Sequence, residues 1–198
     1  MNDYPTFQKR LVDFIHRYIE EIKTIVTTPN DFFRKNRDES GFLEPTLFAG
    51  VNILIPVLFY GLLIAPFTLG LSLIFVLPSM VYGVALLFLS TVVLHGLIRL
   101  LGGNEKFEVT FRCVAYSSVA AYTWLVPLPF VNLLMFGVAF CTLLYFALCE
   151  SHELTPQQAS LLLIAPGFLI LFSGAILTIV TLWMVFKGIA LILGFMLP

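Results

Sequence analysis

Charged residues almost disappear from this chain after Glu44. No Asp, Glu, Lys or Arg occurs in residues 45–98, 113–149 or 154–186. A helix in water keeps a charged outer face, so uncharged segments of this length are typical of helices in lipid. The composition agrees, because 12% of the residues are charged and 59% are hydrophobic, whereas ordinary soluble domains are roughly 25% charged. The sequence therefore predicts a polytopic membrane protein.

The predicted fold class is all-α, a polytopic membrane helical bundle of five transmembrane helices preceded by an amphipathic N-terminal helix. A spanning helix needs about 20 apolar residues, so the three uncharged segments supply two, two and one spans. We expect these spans near residues 45–65, 71–101, 114–126, 130–148 and 157–182. The second span is long, and Pro78 inside it predicts a tilt or a kink.

Short motifs mark the ends of these spans. Gly102 and Gly103 are suited to end the second span, since glycine readily adopts the left-handed conformation of a helix C-terminus. Pro127 and Pro129 break the chain between the third and fourth spans. Residues 155–158, Thr-Pro-Gln-Gln, form a capping box that starts the fifth span. Residues 189–198 are apolar and either extend the last helix or return along the interface.

We divide the chain into a cytoplasmic amphipathic segment, residues 1–44, and a five-span domain, residues 45–198. Residues 6–27 carry an apolar stripe at helical spacing, which comprises Phe7, Leu11, Phe14, Ile15, Tyr18, Ile22 and Ile25. Such a helix docks on the protein's own cytoplasmic face, on a partner or on lipid. A second helix is predicted to start at Thr28 as its N-cap, with Pro29 at its first position and Phe32 and Phe33 at the membrane interface.

The basic residues predict the orientation. Residues 1–44 hold seven Lys and Arg, and Arg99, Lys106 and Arg112 follow the second span, whereas the turns near residues 66–70 and 126–130 hold none. Positive charge in short loops marks the cytoplasmic side. The N-terminus is therefore expected in the cytoplasm, and the polar start of the chain does not resemble a signal peptide.

The best candidate for a binding site is the group His95, Arg99 and Arg112. His95 and Arg99 are four residues apart and share one helix face. Together with Arg112 they could bind a lipid headgroup, another anion or a partner carboxylate. Two alternative roles remain open. In the first, Arg99 extends to the lipid headgroups while His95 hydrogen-bonds a neighbouring helix. In the second, His95 senses pH.

Other polar residues are assigned structural roles. Glu105 and Glu108 are expected to pair with Arg99 or Arg112, and Glu150 and Glu153 belong to the next cytoplasmic loop. Ser117 and Ala121 give the third span a small face for close helix packing. Asn52 and Asn132 are expected to make interhelical hydrogen bonds.

Several functional classes find no support in the sequence. No Asp or Glu lies inside a predicted span, and ion-coupled transporters usually need one. No catalytic motif of the GxSxG, HExxH or P-loop type is present. Residues 150–153 include three potential metal ligands, but such a group is common in loops. We therefore predict no enzyme activity, no catalytic or metal site and no cofactor. The net charge of −1 gives no indication of nucleic-acid binding.

The segment after the second span carries a family resemblance. Residues 95–103 read His-Gly-Leu-Ile-Arg-Leu-Leu-Gly-Gly, and Phe107, Thr110, Arg112, Ala115, Tyr116 and Ser117 follow. This pattern resembles the Yip family of Rab-interacting, five-span membrane proteins, which has bacterial and archaeal relatives. Pro29 with Phe32 and Phe33, Gly41-Phe42 with Pro45, and the Pro127 and Pro129 break are similar to the same domain.

The resemblance implies a membrane scaffold that acts in membrane trafficking and associates with itself. This chain lacks a long Pro/Gly/Tyr-rich N-terminal region and looks more like a prokaryotic relative. We therefore expect the prokaryotic inner membrane rather than the endoplasmic reticulum or Golgi. The expected partners are membrane lipids, a second copy of the chain and a membrane or cytoplasmic protein, for example in a transport complex. The alternative function is a transporter or scramblase for a lipid or a small apolar solute.

Overall fold

The computed structural model describes residues 7–126 and 128–164, and single residues or short groups between 167 and 190. The α-helices described there are α1 (Phe7–Thr27), α2 (Pro29–Lys35), α3 (Leu43–Ile64), α4 (Val76–Leu100), α5 (Phe107–Ser117), α6 (Pro129–Ser151) and α7 (Pro156–Leu162). Short 3-10 helices occupy Ala65–Phe67, Leu71–Phe75 and Ser118–Leu125. No strand occurs in these ranges, and the all-α fold class is confirmed.

Three helical segments are long and apolar enough to cross a membrane. They are Leu43–Phe67, Leu71–Leu100 and Val131–Ser151, and they coincide with the predicted first, second and fourth spans. The predicted third span corresponds to α5 and the 3-10 helix that continues it, and this segment is not among the three. Of the predicted fifth span, only α7 and scattered later residues are described. The five-span count therefore stays a prediction.

The second span starts at Leu71 as predicted, but its first five residues are not α-helical. Residues Leu71–Phe75 form a 3-10 helix, and α4 begins only at Val76. Pro78 therefore lies inside the span, as expected, and in the first turn of α4. The first N–H groups of a helix have no partner within it, so the missing N–H of Pro78 costs little at this position. Gly70, with φ of +82°, makes the preceding turn possible.

The end of α4 has the predicted glycine signal. Gly102 has a φ of +89°, and its N–H donates to the carbonyl of Arg99 at 3.1 Å. The N–H of Gly103 donates to the carbonyl of Ile98 at 3.0 Å. This pair of hydrogen bonds is a Schellman motif. It turns the chain sharply and brings Glu105 back towards the end of the bundle.

The position of α2 corrects one prediction. Phe32 and Phe33 were expected at the membrane interface, but both are buried in the core. The ring of Phe32 packs edge-on against Phe33 and Tyr116, with centroids 5.4 and 5.0 Å apart. The reason is that α2 packs on α6 and so turns its aromatic face into the bundle. Thr28 takes the N-cap position, but its hydroxyl donates to the carbonyl of Thr24.

Hydrogen bonds between side chains attach α1 to the spans. The hydroxyl of Tyr18 donates to Oδ1 of Asn52 at 2.5 Å and accepts from the hydroxyl of Tyr122 at 2.6 Å. The amide of Asn52 then donates to Oγ of Ser118 at 3.0 Å. Asn132 likewise donates to the hydroxyl of Tyr60 at 2.7 Å. The expected interhelical role of both asparagines is confirmed.

Candidate functional site at the charged rim

Most charged residues outside α1 gather at one end of the bundle, which we call the charged rim. It comprises residues 31–44, 99–112 and 150–153. The first group runs from α2 to the start of α3, the second from the end of α4 into α5, and the third from the end of α6 into the loop after it. Each group therefore includes one end of a long apolar helix, α3, α4 or α6. The chain thus returns three times to the same polar face.

Arg37 links these three groups. Its guanidinium lies 2.8 Å from the carboxylate of Glu105 and also contacts the carboxylate of Glu153. The hydrogen bonds to Glu153 and Glu105 raise the pKa of Arg37, so the charge of this residue is permanent. The Arg37 and Glu105 side chains are only about one-third exposed, and this contact is better shielded from solvent than an ordinary surface ion pair.

The observed partners of the rim carboxylates differ from the expected ones. Glu105 was expected to pair with Arg99 or Arg112, but its carboxylate pairs with Arg37. Arg99 instead donates to the backbone carbonyl of Glu105 at 3.3 Å. The physical reason is the Schellman turn, which leaves the Glu105 backbone, and not its side chain, facing the end of α4. Glu108 accepts a hydrogen bond from the N–H of Gly41 at 3.4 Å.

Glu150 makes no ion pair within the described part of the chain. Glu153, by contrast, lies just beyond the end of α6 with a φ of +52°. That left-handed conformation reverses the chain direction and carries Glu153 towards Arg37. Glu150 was predicted in the loop with Glu153, but it lies in the last turn of α6. The loop after α6 contacts Arg37 through Glu153.

Arg112 is buried and bonds the backbone of another segment. Arg112 is only 5% exposed, and its Nη1 donates to the carbonyl of Asn36 at 3.1 Å. Asn36 is the C-cap of α2, so the guanidinium lies where the partial negative charge of that helix is concentrated. Arg112 thus connects α5 to the end of α2, and it shares no recorded hydrogen bond with His95 or Arg99.

The structure brings His95 and Arg99 together as their spacing predicts. Nε of Arg99 lies 3.4 Å from Nε2 of His95. Beyond His95, a chain of hydrogen bonds continues into the bundle. Nδ1 of His95 lies 2.9 Å from the hydroxyl of Thr110, and that hydroxyl lies 3.3 Å from Nε2 of His152. Three segments, α4, α5 and the end of α6, therefore meet at one threonine hydroxyl.

If both histidine rings are neutral, only one placement of their protons satisfies this series of hydrogen bonds. Arg99 can only donate, so Nε2 of His95 accepts and Nδ1 carries the proton. Thr110 accepts from that N–H and gives its own proton to Nε2 of His152. The proton of His152 then sits on Nδ1, a buried atom with no hydrogen-bond partner among the described residues. Burial lowers the pKa of His152 to about 4, in agreement with a neutral ring.

One of the two predicted packing residues, Ser117, lies in a segment that is buried without interruption, residues 109–120, and Ala121 follows it directly and is partly buried. The hydroxyl of Ser117 donates to the carbonyl of Cys113 at 2.7 Å, which satisfies it within its own helix and leaves a small surface. Ala121 lines a partly open cavity between the spans. The role of Ser117 and Ala121 in close helix packing stays a prediction.

Sequence reasoning missed three of the residues that organise the rim. Arg37 is one of seven basic residues in the N-terminal segment, and nothing in its neighbours distinguishes it. Thr110 was noted only within the family pattern, and His152 only as a potential metal ligand. One sequence signal could have indicated these residues: polar side chains near the ends of neighbouring spans tend to hydrogen-bond or form ion pairs with one another. Within the described ranges, no cluster of three or more His, Cys, Asp or Glu is positioned to hold a metal ion.

The fold and the rim define a class, that of polytopic helical membrane proteins with a polar face built from interhelical loops. Comparison with known families is more specific. A family model described as the Yip1 domain matches residues 23–177. This match covers most of the chain, and the chain therefore belongs to the Yip1 domain family. No curated protein matches the sequence, and no solved structure matches it.

Proposed function

We propose that this protein is a non-catalytic membrane scaffold or accessory subunit that binds a partner protein through its charged rim. The observation that carries the proposal is the position of Arg37 between Glu105 and Glu153. Through this residue, three loops that are distant in sequence form one surface. A surface that is ordered before binding loses less conformational entropy when a partner docks.

The exposed charges of the rim favour a protein partner over a bare membrane surface. Exposed residues of both signs occur on it, namely Arg34, Lys35, Arg99 and Lys106 with Asp31, Asp38, Glu39, Glu44 and Glu153. An anionic lipid surface attracts clusters of Lys and Arg that are not interrupted by acids. Mixed charges instead give a pattern that a complementary protein surface can match.

The proposal includes an orientation. We place the rim, the amphipathic helix α1 and the N-terminus in the cytoplasm, and we expect five spans in a prokaryotic inner membrane. The distribution of Lys and Arg supports this arrangement. Self-association is also proposed, on the ground of family membership. A cysteine-free variant with one new cysteine at Lys106 tests the orientation, since a membrane-impermeant thiol reagent should label it in inside-out vesicles only.

Charge reversal tests the binding surface. We expect the variant Lys106→Glu to lose a protein that co-purifies with the wild-type chain from its native membranes in mild detergent. The matched control is Lys9→Glu, which reverses the charge of an exposed lysine on α1, outside the rim. Both variants should melt at the wild-type temperature, because both side chains are exposed. Equal recovery of the partner with both variants would contradict the proposal.

A further inference from the structure

A partly open cavity of about 310 Å³ lies between the spans, away from the charged rim. One face of α3 and one face of α4 form two of its walls. The α4 face includes Val76, Gly83, Leu87 and Ser90, which follow the spacing of a single helical stripe. The stripe extends about 20 Å along α4 at 1.5 Å per residue. The cavity is therefore elongated and runs along the spans.

The chemistry of the wall selects an uncharged occupant. No Asp, Glu, Lys, Arg or His is among the described lining residues, and most of them are aliphatic or aromatic. The volume is at the lower end of the roughly 300–1,000 Å³ range typical of small-molecule sites. Placing a charge in such a space is very unfavourable. An alkyl chain from the surrounding lipid meets the requirements of shape and polarity.

One hydroxyl in the wall is both buried and without a hydrogen-bond partner. Tyr60, Thr68, Ser72 and Ser118 line the cavity with hydroxyls that are hydrogen-bonded to protein atoms. Ser79 and Tyr82 also line it without such a bond among the described residues, but neither is buried. Ser90 is only 1% exposed, and its Oγ has no hydrogen-bond partner among the described residues. A buried polar group without a partner is uncommon and requires an explanation.

The neighbouring residue Thr91 shows that a hydroxyl in this part of α4 can hydrogen-bond within the helix, which the hydroxyl of Ser90 does not do. Thr91 is buried at the following position, and its hydroxyl donates to the carbonyl of Leu87 at 2.8 Å. Serine and threonine commonly satisfy themselves in this way within a helix. Ser90 lies about 15 Å from the end of α4, and so close to the middle of a hydrocarbon layer about 30 Å thick. A charged phospholipid headgroup does not reach that depth.

From these observations, we propose that the cavity binds a single-chain lipid that bears an uncharged hydroxyl or carbonyl group, and that the Ser90 hydroxyl rotates about its Cα–Cβ bond out of its buried position to hydrogen-bond this group. The alkyl chain occupies the elongated apolar space between α3 and α4. The site holds its lipid without any requirement to move it across the membrane. This inference is independent of the partner-binding role of the charged rim.

Photolabelling with two probes tests the proposal. Purified protein in phosphatidylcholine vesicles is irradiated with hexadecanol or with hexadecane, each carrying a diazirine in the chain, and the labelled peptides are identified by mass spectrometry. We expect hexadecanol to label residues of the cavity wall and excess unlabelled hexadecanol to compete. Hexadecane should label these residues more weakly, since one net hydrogen bond corresponds to about a three- to tenfold difference in affinity.

Two variants separate recognition from folding. Ser90→Ala should reduce labelling by hexadecanol about three- to tenfold and leave labelling by hexadecane unchanged. Its melting temperature should not fall, because a hydroxyl without a protein partner is removed. Thr91→Val changes the neighbouring buried hydroxyl outside the cavity and should label like the wild type. The proposal would be overturned if both probes labelled the cavity wall equally or if Ser90→Ala were labelled by hexadecanol as strongly as the wild type. Labelling confined to the outer surface of the protein would also overturn it.

Discussion

The guanidinium of Arg37 lies 2.8 Å from the carboxylate of Glu105, and this contact joins the segment before α3 to the loop after α4. The two residues are distant in sequence, and neither lies in a span. Their contact, together with that to Glu153, connects the loops at the charged rim. The stability of the rim should therefore depend on Arg37 more than on any other of its surface charges.

Replacing Arg37 tests this dependence. Arg37→Ala leaves the half-shielded Glu105 carboxylate without its partner, and we expect a loss of about 1–2 kcal/mol in the free energy of unfolding. The measurement is thermal unfolding in detergent followed by tryptophan fluorescence. Arg34→Ala is the matched control, since Arg34 pairs with Asp31 in an exposed contact within α2. Its cost should stay below about 0.5 kcal/mol, and equal losses would show that Arg37 has no special role.

Thr110 offers a second test. Thr110→Val keeps the shape of the side chain but removes the hydroxyl between His95 and His152. Two ring nitrogens then lack their partner, and we expect a loss of about 2–4 kcal/mol. Thr91→Val makes the same chemical change at another buried position, where the hydroxyl bonds only its own helix. If the two variants unfold at the same temperature, the link through Thr110 contributes nothing to stability.

The folded state should lose stability in mild acid because of His152. Its pKa is about 4 in the folded protein, mainly through burial, and about 6.5 in an unfolded chain. Between these values the unfolded state binds the additional proton, so stability rises with pH and falls as pH is lowered from about 6.5 to about 4. The full window corresponds to about 3 kcal/mol at most.

Comparison of two histidine variants isolates this effect. The slope of the melting temperature against pH in this window should become flatter in His152→Gln. It should remain as in the wild type in His16→Gln, since His16 is exposed on α1. Neighbouring charges modify the pKa of His152, with Glu105 raising it and His95 and Arg37 lowering it. An unchanged slope in His152→Gln would show that the ring is not buried as described.

The attachment of α1 depends on Tyr18. Tyr18→Phe removes the hydroxyl that bonds Asn52 and Tyr122, and we expect faster hydrogen exchange at the backbone amides of α1. Mass spectrometry of the α1 peptides measures this change. Amides of α2 should exchange as in the wild type, because α2 is held by buried aromatic packing against α6. Unchanged exchange in α1 would mean that apolar contacts alone attach the helix.

The sequence was a good guide to the features that depend on local chemistry. The uncharged segments located three spans to within a few residues. The glycine pair Gly102 and Gly103 and the capping box at Thr155 lie where they were predicted. In each case the signal is local, because a helix end is decided by the residues within one turn of it. The contact of His95 with Arg99 also follows from helix geometry alone.

The features that depend on packing between helices could not be predicted in this way. Phe32 and Phe33 are apolar, and apolar residues suit both a membrane interface and a protein core. Which of the two they occupy depends on the position of α2 against α6. The choice of Arg37 as the partner of Glu105 likewise depends on how three loops meet. Pairing of charges over such sequence separations has no local signature.

Site-specific photocrosslinking in living cells tests the proposed scaffold function most directly. A photoreactive amino acid is placed at the exposed rim positions Glu39 and Lys106, and at Leu134 and Val138, which are exposed apolar positions on α6. We predict a discrete crosslinked protein from the rim positions and none of the same mass from the two α6 positions. The absence of a protein adduct at the rim, or the same adduct from all four positions, would contradict a partner-binding role for the charged rim.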